Sequence, residues 1–306
     1  MDLLADVLCA AGVRGTVATR IEAGESWSWL AQDIPDAAFH AVTAGTVWLG
    51  LPDQAPIKLL PGDVVLLPTG SEHRLASDAQ AIMRPGEPVT APCQTDGGVV
   101  RIGSGSVQAH ILCAHYQHDP TVSIQVLKLL PELVHIRADH GGGSLSDTVR
   151  LLARELAQPQ MATAMVLNSL VDILLIQLLR VWLASRPTPP EASWLGVLSD
   201  PIIGAAVTKL HENPARAWTT AALAAEIRVS RATLSRRFPA VVGQTPAEYL
   251  TRWRMDLAAL RLKNTDETLE QIAHKVGYTS VYAFSRAFSR VRAISPGRYR
   301  STSRVP

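Results

Sequence analysis

A chain of 306 residues, 47% hydrophobic and 18% charged, is long enough for about two cores and is neither disordered nor fibrous. Its net charge of +2 conceals a division at Leu195: 17 Lys and Arg against 8 Asp and Glu from there onward, 12 against 19 before it. Such asymmetry is what a basic nucleic-acid-binding module joined to an acidic partner shows, although chance unevenness explains it equally well on charge alone.

In chain order, Met1–Ala11 carries Asp2 and Asp6 and no positive stretch, so it does not read as a secretory signal. From about Thr16 to His118, short β-type runs (Thr46–Leu51, Ile57–Leu60, Val64–Leu67, Val99–Ile102, Val107–Tyr116) are broken by Gly and Pro. That spacing predicts an antiparallel barrel or jelly roll. Cys9, Cys93 and Cys113 give no disulfide framework, which points to a reducing cytoplasm. From Ser144 to Ser185 the period becomes helical: Leu145, Val149, Leu152 and Leu156, then Val166, Leu170, Ile173, Leu174 and Leu178. Asn168, Asp172, Gln177 and Arg180 interrupt the second run, which suits a buried or dimerising helix better than a bilayer span. Residues 186–195, rich in proline, read as a linker.

The remaining segment repeats itself at an offset of 50 residues. Ser230, Leu234, Ser235, Arg236 and Phe238 return as Ser280, Phe284, Ser285, Arg286 and Phe288; Thr245, Pro246 and Tyr249 return as Ser295, Pro296 and Tyr299. Leu223-Ala224 matches Ile272-Ala273 at an offset of 49, so the second copy has one extra residue in its turn. Each copy has the grammar of a helix-turn-helix. Thr219 or Thr220 caps a helix through Glu226, and after a turn at Arg228-Val229 Ser230 caps a second. In the second copy Thr268 caps Leu269–Lys275, Gly277 turns, and Thr279 or Ser280 opens the next helix. Leu234 and Phe238, like Phe284 and Phe288, fall four apart and face inward. Positions 232, 235 and 236, and likewise 282, 285 and 286, then face a major groove. A helix started by Thr245-Pro246 and running to about Lys263 joins the copies, with Leu250, Trp253, Leu257 and Leu260 as one stripe. At 1.5 Å per residue it spans roughly 27 Å, near the length needed to set two recognition helices about one DNA turn apart.

These residues resemble the AraC/XylS family. Ile272-Ala273, Gly277-Tyr278, Phe284-Ser285-Arg286, Phe288, Pro296 and Tyr299-Arg300 carry its signature. The resemblance implies base contacts from Ala232, Ser235 and Arg236 in one groove and from Tyr282, Ser285 and Arg286 in the next. Ser230, Arg231 and Ser280 stand at the starts of the two recognition helices. Ala232 is smaller than the residue frequent there and can offer contact only to a thymine methyl. Arg236 is the better guanine reader, while Arg286 is equally a phosphate clamp.

In the first half, Gly62, Pro68, Gly70 and His73 resemble the second conserved motif of cupin barrels, while the earlier motif supplies only His40. This incomplete ligand set argues against a cupin oxygenase and for a cupin sensor of the kind found in some AraC-type regulators. Two readings stand for Cys113 and His115, which share a strand face with Ile111: with His40 and His73 they form a zinc site, or Cys113 is core and the histidines are hydrogen-bonded. A redox role for Cys113 with Cys93 or Cys9 needs two sulfurs close in space. Trp27, Trp29 and Trp48 line an effector pocket or fill the core.

The expectation is an α+β, non-enzymatic, cytoplasmic transcription regulator. It comprises a cupin-like sensor (1–143), dimerising helices (144–185), a linker (186–195) and a double helix-turn-helix domain (196–306). Its partners would be double-stranded DNA, RNA polymerase as for an activator, a small-molecule or redox effector, and a second copy, with no membrane. The dimer helices alternatively pack on their own barrel. A cupin metalloenzyme fused to a DNA module and a non-specific architectural binder are the rivals.

Overall fold

In the computed structural model, which describes residues 2–32, 34, 36–83, 98–117, 126–138, 142–185 and 194–303, the strands form two sheets that share one apolar core. One sheet has the order β10-β6-β3-β9-β1-β8, made of β1 (Arg14–Glu25), β3 (Ala37–Ala44), β6 (Val64–Leu67), β8 (Gly98–Ile102), β9 (Ser104–Gln117) and β10 (Val134–Ile136). The other runs β2-β7-β4-β5, from β2 (Ser28–Ala31), β4 (Val47–Gly50), β5 (Ile57–Leu59) and β7 (His73–Ala76). Pairing is antiparallel except for β1 with β8, which is parallel. Ile21, Val42, Val65, Ile111 and Cys113 from the first sheet meet Trp29, Val47, Leu49, Leu59 and Leu75 from the second. Trp27 and Trp29 are core, whereas Trp48 is half-buried.

A short helix, α2 (Ala79–Met83), packs on β4 and β7 of the smaller sheet. The helices α3 (Gly142–Ala157) and α4 (Thr163–Ala184) pack on the six-stranded sheet, chiefly on β3, β1 and β10. Leu145, Val149 and Leu152 of α3 are buried, as are Leu170, Leu174 and Leu178 of α4, so this stripe packs on the protein's own barrel. By length and composition α4 could cross a membrane. Its polar interruptions explain themselves otherwise: Asp172 accepts from the Gly15 amide (2.7 Å) and Asn168 from the Val17 amide (3.2 Å). Both clamp β1 to α4. Val166 and Ile173, expected on the packed stripe, are exposed together with Met161 and Met165. Spacing alone had merged two neighbouring faces of the helix.

Among the described residues, the second unit comprises 2–13, 126–129 and 194–303. Its helices are α1 (Leu3–Ala10), α5 (Trp194–Val197), α6 (Pro201–Glu212), α7 (Thr220–Glu226), α8 (Arg231–Val242), α9 (Pro246–Asn264), α10 (Leu269–Lys275), α11 (Val281–Arg292) and α12 (Pro296–Ser303). Residues 2–13, the start of the expected sensor region 1–143, thus pack within this helical unit. The reason is local: Leu3, Leu4, Val7 and Leu8 are buried as α1 packs on α6 and α9, and Asp6 accepts from His211 Nδ1 at 3.3 Å. The expected linker 186–195 is also shorter, because α5 starts at Trp194, whose indole donates to the Tyr249 hydroxyl (3.2 Å). Residues 186–193 lie outside the described residues. The α9 helix is buried on two faces, not one stripe: Tyr249, Leu250 and Trp253 near its start, and Met255, Ala258, Ala259 and Leu262 beyond, while Leu257 and Leu260 are only half-buried. A spacer that serves two subdomains needs two apolar faces.

Candidate nucleic-acid interface

Each recognition helix starts on a serine. Ser230 Oγ accepts from the Thr233 amide (3.0 Å) and Ser280 Oγ from the Ala283 amide (3.4 Å), satisfying helix-terminal donors that water would otherwise meet. Thr219 and Thr268 cap α7 and α10 in the same way, the latter in a reciprocal box with Gln271. The corners match as well. The Val229 amide donates to Ala224 O and the Tyr278 amide to Ala273 O, with Arg228 (φ +58°) and Gly277 (φ +81°) at equivalent left-handed positions. Thr279 is the extra residue.

Inward, Leu234, Phe238, Phe284 and Phe288 are fully buried. Outward, Ala232, Ser235, Arg236, Tyr282 and Arg286 are exposed and Ser285 half-exposed. Arg231 is exposed at the first turn of α8. Adjacent arginines differ: Arg237 is held by Asp200 (3.0 Å), whereas Arg236 forms no ion pair among the described residues. On α11, Arg286 lies over the Tyr282 ring, 5.7 Å from its centroid, and Tyr282 is 72% exposed. An open groove of about 700 Å³ runs beside them, lined by Thr251, Tyr278, Ser285 and Arg290. Thr251 and Arg290 escaped the sequence reading because neither lies on a position the repeat marks; the cue was Arg290's place one turn after Arg286.

In the barrel, His40, His73 and Cys113 come together, and they form a chain instead of a cage. His73 Nδ1 lies 2.7 Å from the Ser71 carbonyl, which can only accept, so His73 Nδ1 donates. Burial lowers the pKa of His73, and burial with the neighbouring His73 holds His40 well below the ordinary histidine value. Both rings are therefore neutral. His73 Nε2 must then accept, so His40 Nε2 donates to it at 2.7 Å, leaving His40 Nδ1 to accept from the Cys113 thiol at 3.1 Å. A zinc ion needs its ligand atoms to converge on one point, yet His40 spends its two nitrogens on opposite sides of its ring. His115 pairs opposite Ala38 and is half-buried, outside the chain. Among the described residues no group of three or more His, Cys, Asp or Glu side chains is placed to hold a metal, so the set His40, His73, Cys113 and His115 is not assembled. Cys9 is exposed on α1, and Cys93 lies outside the described residues. In the cupin-like turn, buried Asp63 is structural: it accepts from the Leu60 and Ala138 amides and from His135 Nε2.

Residues 2–184 match the cupin family and residues 223–302 the helix-turn-helix domain family. An AraC-like transcription regulator of Streptomyces lividans is 37% identical over 309 residues, covering 100% of both chains. The chain belongs to the AraC-like family of transcription regulators. Its helical unit is the DNA-binding part and its barrel the cupin-like sensing part. Further relatives match over most of the length: the HTH-type transcriptional regulator AlkR of Acinetobacter baylyi is 31% identical over 90% of each chain, and the RCS-specific HTH-type transcriptional activator RclR of Escherichia coli 27% over 99%. Among solved structures, the DNA-binding domain of AdpA in complex with a target DNA is 30% identical. It covers 34% of this chain and 94% of that one, with a TM-score of 0.33.

Proposed function

We propose that this regulator is a cytoplasmic activator that reads DNA through Ala232, Ser235 and Arg236 in one major groove and Tyr282, Ser285 and Arg286 in the next. The observation that carries this reading is the outward exposure of both residue sets on duplicated, serine-capped helices. Arg231 and the capping Ser230 and Ser280 stand where a phosphate meets a helix N-terminus. Lys and Arg contacts to phosphate supply salt-dependent affinity, and the outward side chains supply the sequence preference. Activation follows the relative named an activator, and contact with RNA polymerase is the proposed means. Signal enters through the barrel, where the buried Cys113–His40–His73 chain is the polar feature an effector or redox change would disturb. The exposed Met161, Met165, Val166 and Ile173 favour a homodimer through α4.

The names of the relatives favour a regulator over a cupin enzyme. The test is selection of genomic fragments by the full-length protein, followed by a reporter driven by the selected fragment. The expected result is enrichment of discrete fragments and higher reporter output when the protein is present. Fragments recovered in proportion to their length would mean an architectural binder, and lower output would mean a repressor.

A further inference from the structure

The spacer helix is not alone in setting the two heads. Arg254, near the middle of α9, donates from Nε to Pro214 O (2.6 Å) and from a terminal nitrogen to Arg216 O (2.9 Å). Both carbonyls belong to the α6–α7 loop of the first copy. On its other side the same guanidinium lies over the ring of Tyr278, 5.7 Å from the centroid, in the turn of the second copy. The loop is itself tied into the first copy, since Arg216 pairs with Glu226 at the end of α7 (3.2 Å) and stacks on Trp218 (4.0 Å). Opposite it, the second copy's turn comes so close that a Cβ on Gly277 would stand 2.6 Å from Ala215 O and 2.8 Å from Arg254 itself.

We propose that Arg254 is a positioning residue, a cross-brace between the two helix-turn-helix copies that fixes the spacing and rotation of half-sites the protein accepts. The α9 helix is packed into each head at its own end, and bending or twisting between those ends changes how the heads are set relative to one another. A planar fork bonded to two carbonyls of one head and lying over an aromatic ring of the other limits that change. Only arginine can do this, since a lysine ammonium is a point charge without a stacking plane. Burial lowers the Arg254 pKa somewhat and Tyr278 opposes the shift, as expected for a guanidinium enclosed between two surfaces. Arg254 is none of the six residues proposed to face bases, while its partner Tyr278 lines the groove beside them, so the lone half-site comparison below separates geometry from direct contact.

The inference rests on the two-headed DNA reading above, and its test separates the two. Full-length protein is used to select a duplex from a randomised pool. The selected duplex is then rebuilt with one base pair inserted or deleted between its half-sites, and as the first half-site alone. Each base pair shifts the half-sites by about 3.4 Å along the axis and rotates them as well. With a rigid pair of heads, the wild type should lose about 100-fold in affinity on insertion or deletion, the avidity of simultaneous engagement. Arg254→Met should bind the parent duplex more weakly yet lose only about 3-fold on the same change, because loosened heads can still both engage. Its affinity for the lone half-site should equal that of the wild type. Arg254→Lys should behave like Arg254→Met.

A spacing profile for Arg254→Met that matches the wild type overturns the brace while leaving DNA reading intact. Equal weakening on the lone half-site also overturns it, since that marks a general folding defect. No selected duplex at all, or one without two half-sites, overturns the two-headed reading itself and the brace with it.

Discussion

In the first helix-turn-helix copy the corner after α7 turns on Arg228 at φ +58°, and in the second the equivalent corner turns on Gly277 at φ +81°. At the end of the recognition helix the preference reverses: α8 closes on Gly243 (φ +77°) and α11 on Ala293 (φ +60°). The backbone is duplicated, so the turn itself demands no particular residue. Arg228 is tolerated because its side chain points into solvent, while at Gly277 the backbone of Ala215 occupies the space a Cβ would need. Neighbours, not the local motif, decide which copy keeps its glycine.

A second contrast lies in the cores. In the second copy Asp256 and Arg292 form a fully buried ion pair at 2.6 Å. Fifty residues earlier the corresponding positions are Ala206 and Val242. The largest expected effect follows. Asp256→Ala leaves a buried guanidinium without that carboxylate and should cost about 3–5 kcal/mol. The double change Asp256→Ala/Arg292→Val, which installs the first copy's residues, should recover most of that loss in denaturant titration. A double variant no more stable than the single one would mean the pair's partner is not what makes the loss large.

Between the two reading faces, Arg236→Ala should lose roughly 1–3 kcal/mol at one base position and nothing elsewhere, measured on a panel of single-base operator variants. Uniform weakening across the panel would assign Arg236 to phosphate and make the two copies alike in that respect.

Acid should distinguish the copies as well. His211, on α6 of the first copy, is stacked on Trp253 (3.8 Å) and bonded to Tyr249 and Asp6. Burial pushes its pKa down to about 4, against the upward pull of Asp6. The unfolded chain's histidine takes its proton near pH 6.5. Between those values the unfolded state holds more protons, so stability is present above about pH 6.5 and is lost as pH falls toward 4. Buried His40 and His73 in the barrel act with the same sign. The specific test is therefore the difference between His211→Gln and wild type, whose stability curve should be flatter for the variant over that window. Parallel curves would remove His211 from the account.

The smallest effect is expected at Ala293. A left-handed Ala carries backbone strain that Gly avoids, offset in part by the chain entropy Gly adds to the unfolded state. Ala293→Gly should stabilise by under about 1 kcal/mol in chemical denaturation, and a destabilised variant would show that Ala293 is not strained.

How much of this was legible in the sequence depended on whether a signal was local. Caps, turns and the inward phenylalanines of both copies could be read because each needs a particular residue type at a fixed step: Thr268 and Ser280 cap where expected, and Gly277 turns where expected. β3 was missed because its residues 37–42 are buried on both faces, which erases the alternation that marks a half-buried strand. The packing of α1 could not be read, since its partners, α6 and α9, lie some 200 residues further on. The barrel cluster was half-legible. The motif residues His40 and His73 and the strand residue Cys113 could be named as one candidate group, but only the ring orientations chose the hydrogen-bonded reading over the zinc site.

The central claim is that two unequal heads read one face of the same duplex, and hydroxyl-radical footprinting of the full-length protein on a selected genomic fragment tests it most directly. At about 150 mM salt, where non-specific contacts are weakened, the account predicts two protected segments about one helical turn apart. The segment lost first in Arg236→Ala should be the one read by α8. A single protected turn, or uniform protection along the fragment, would contradict it.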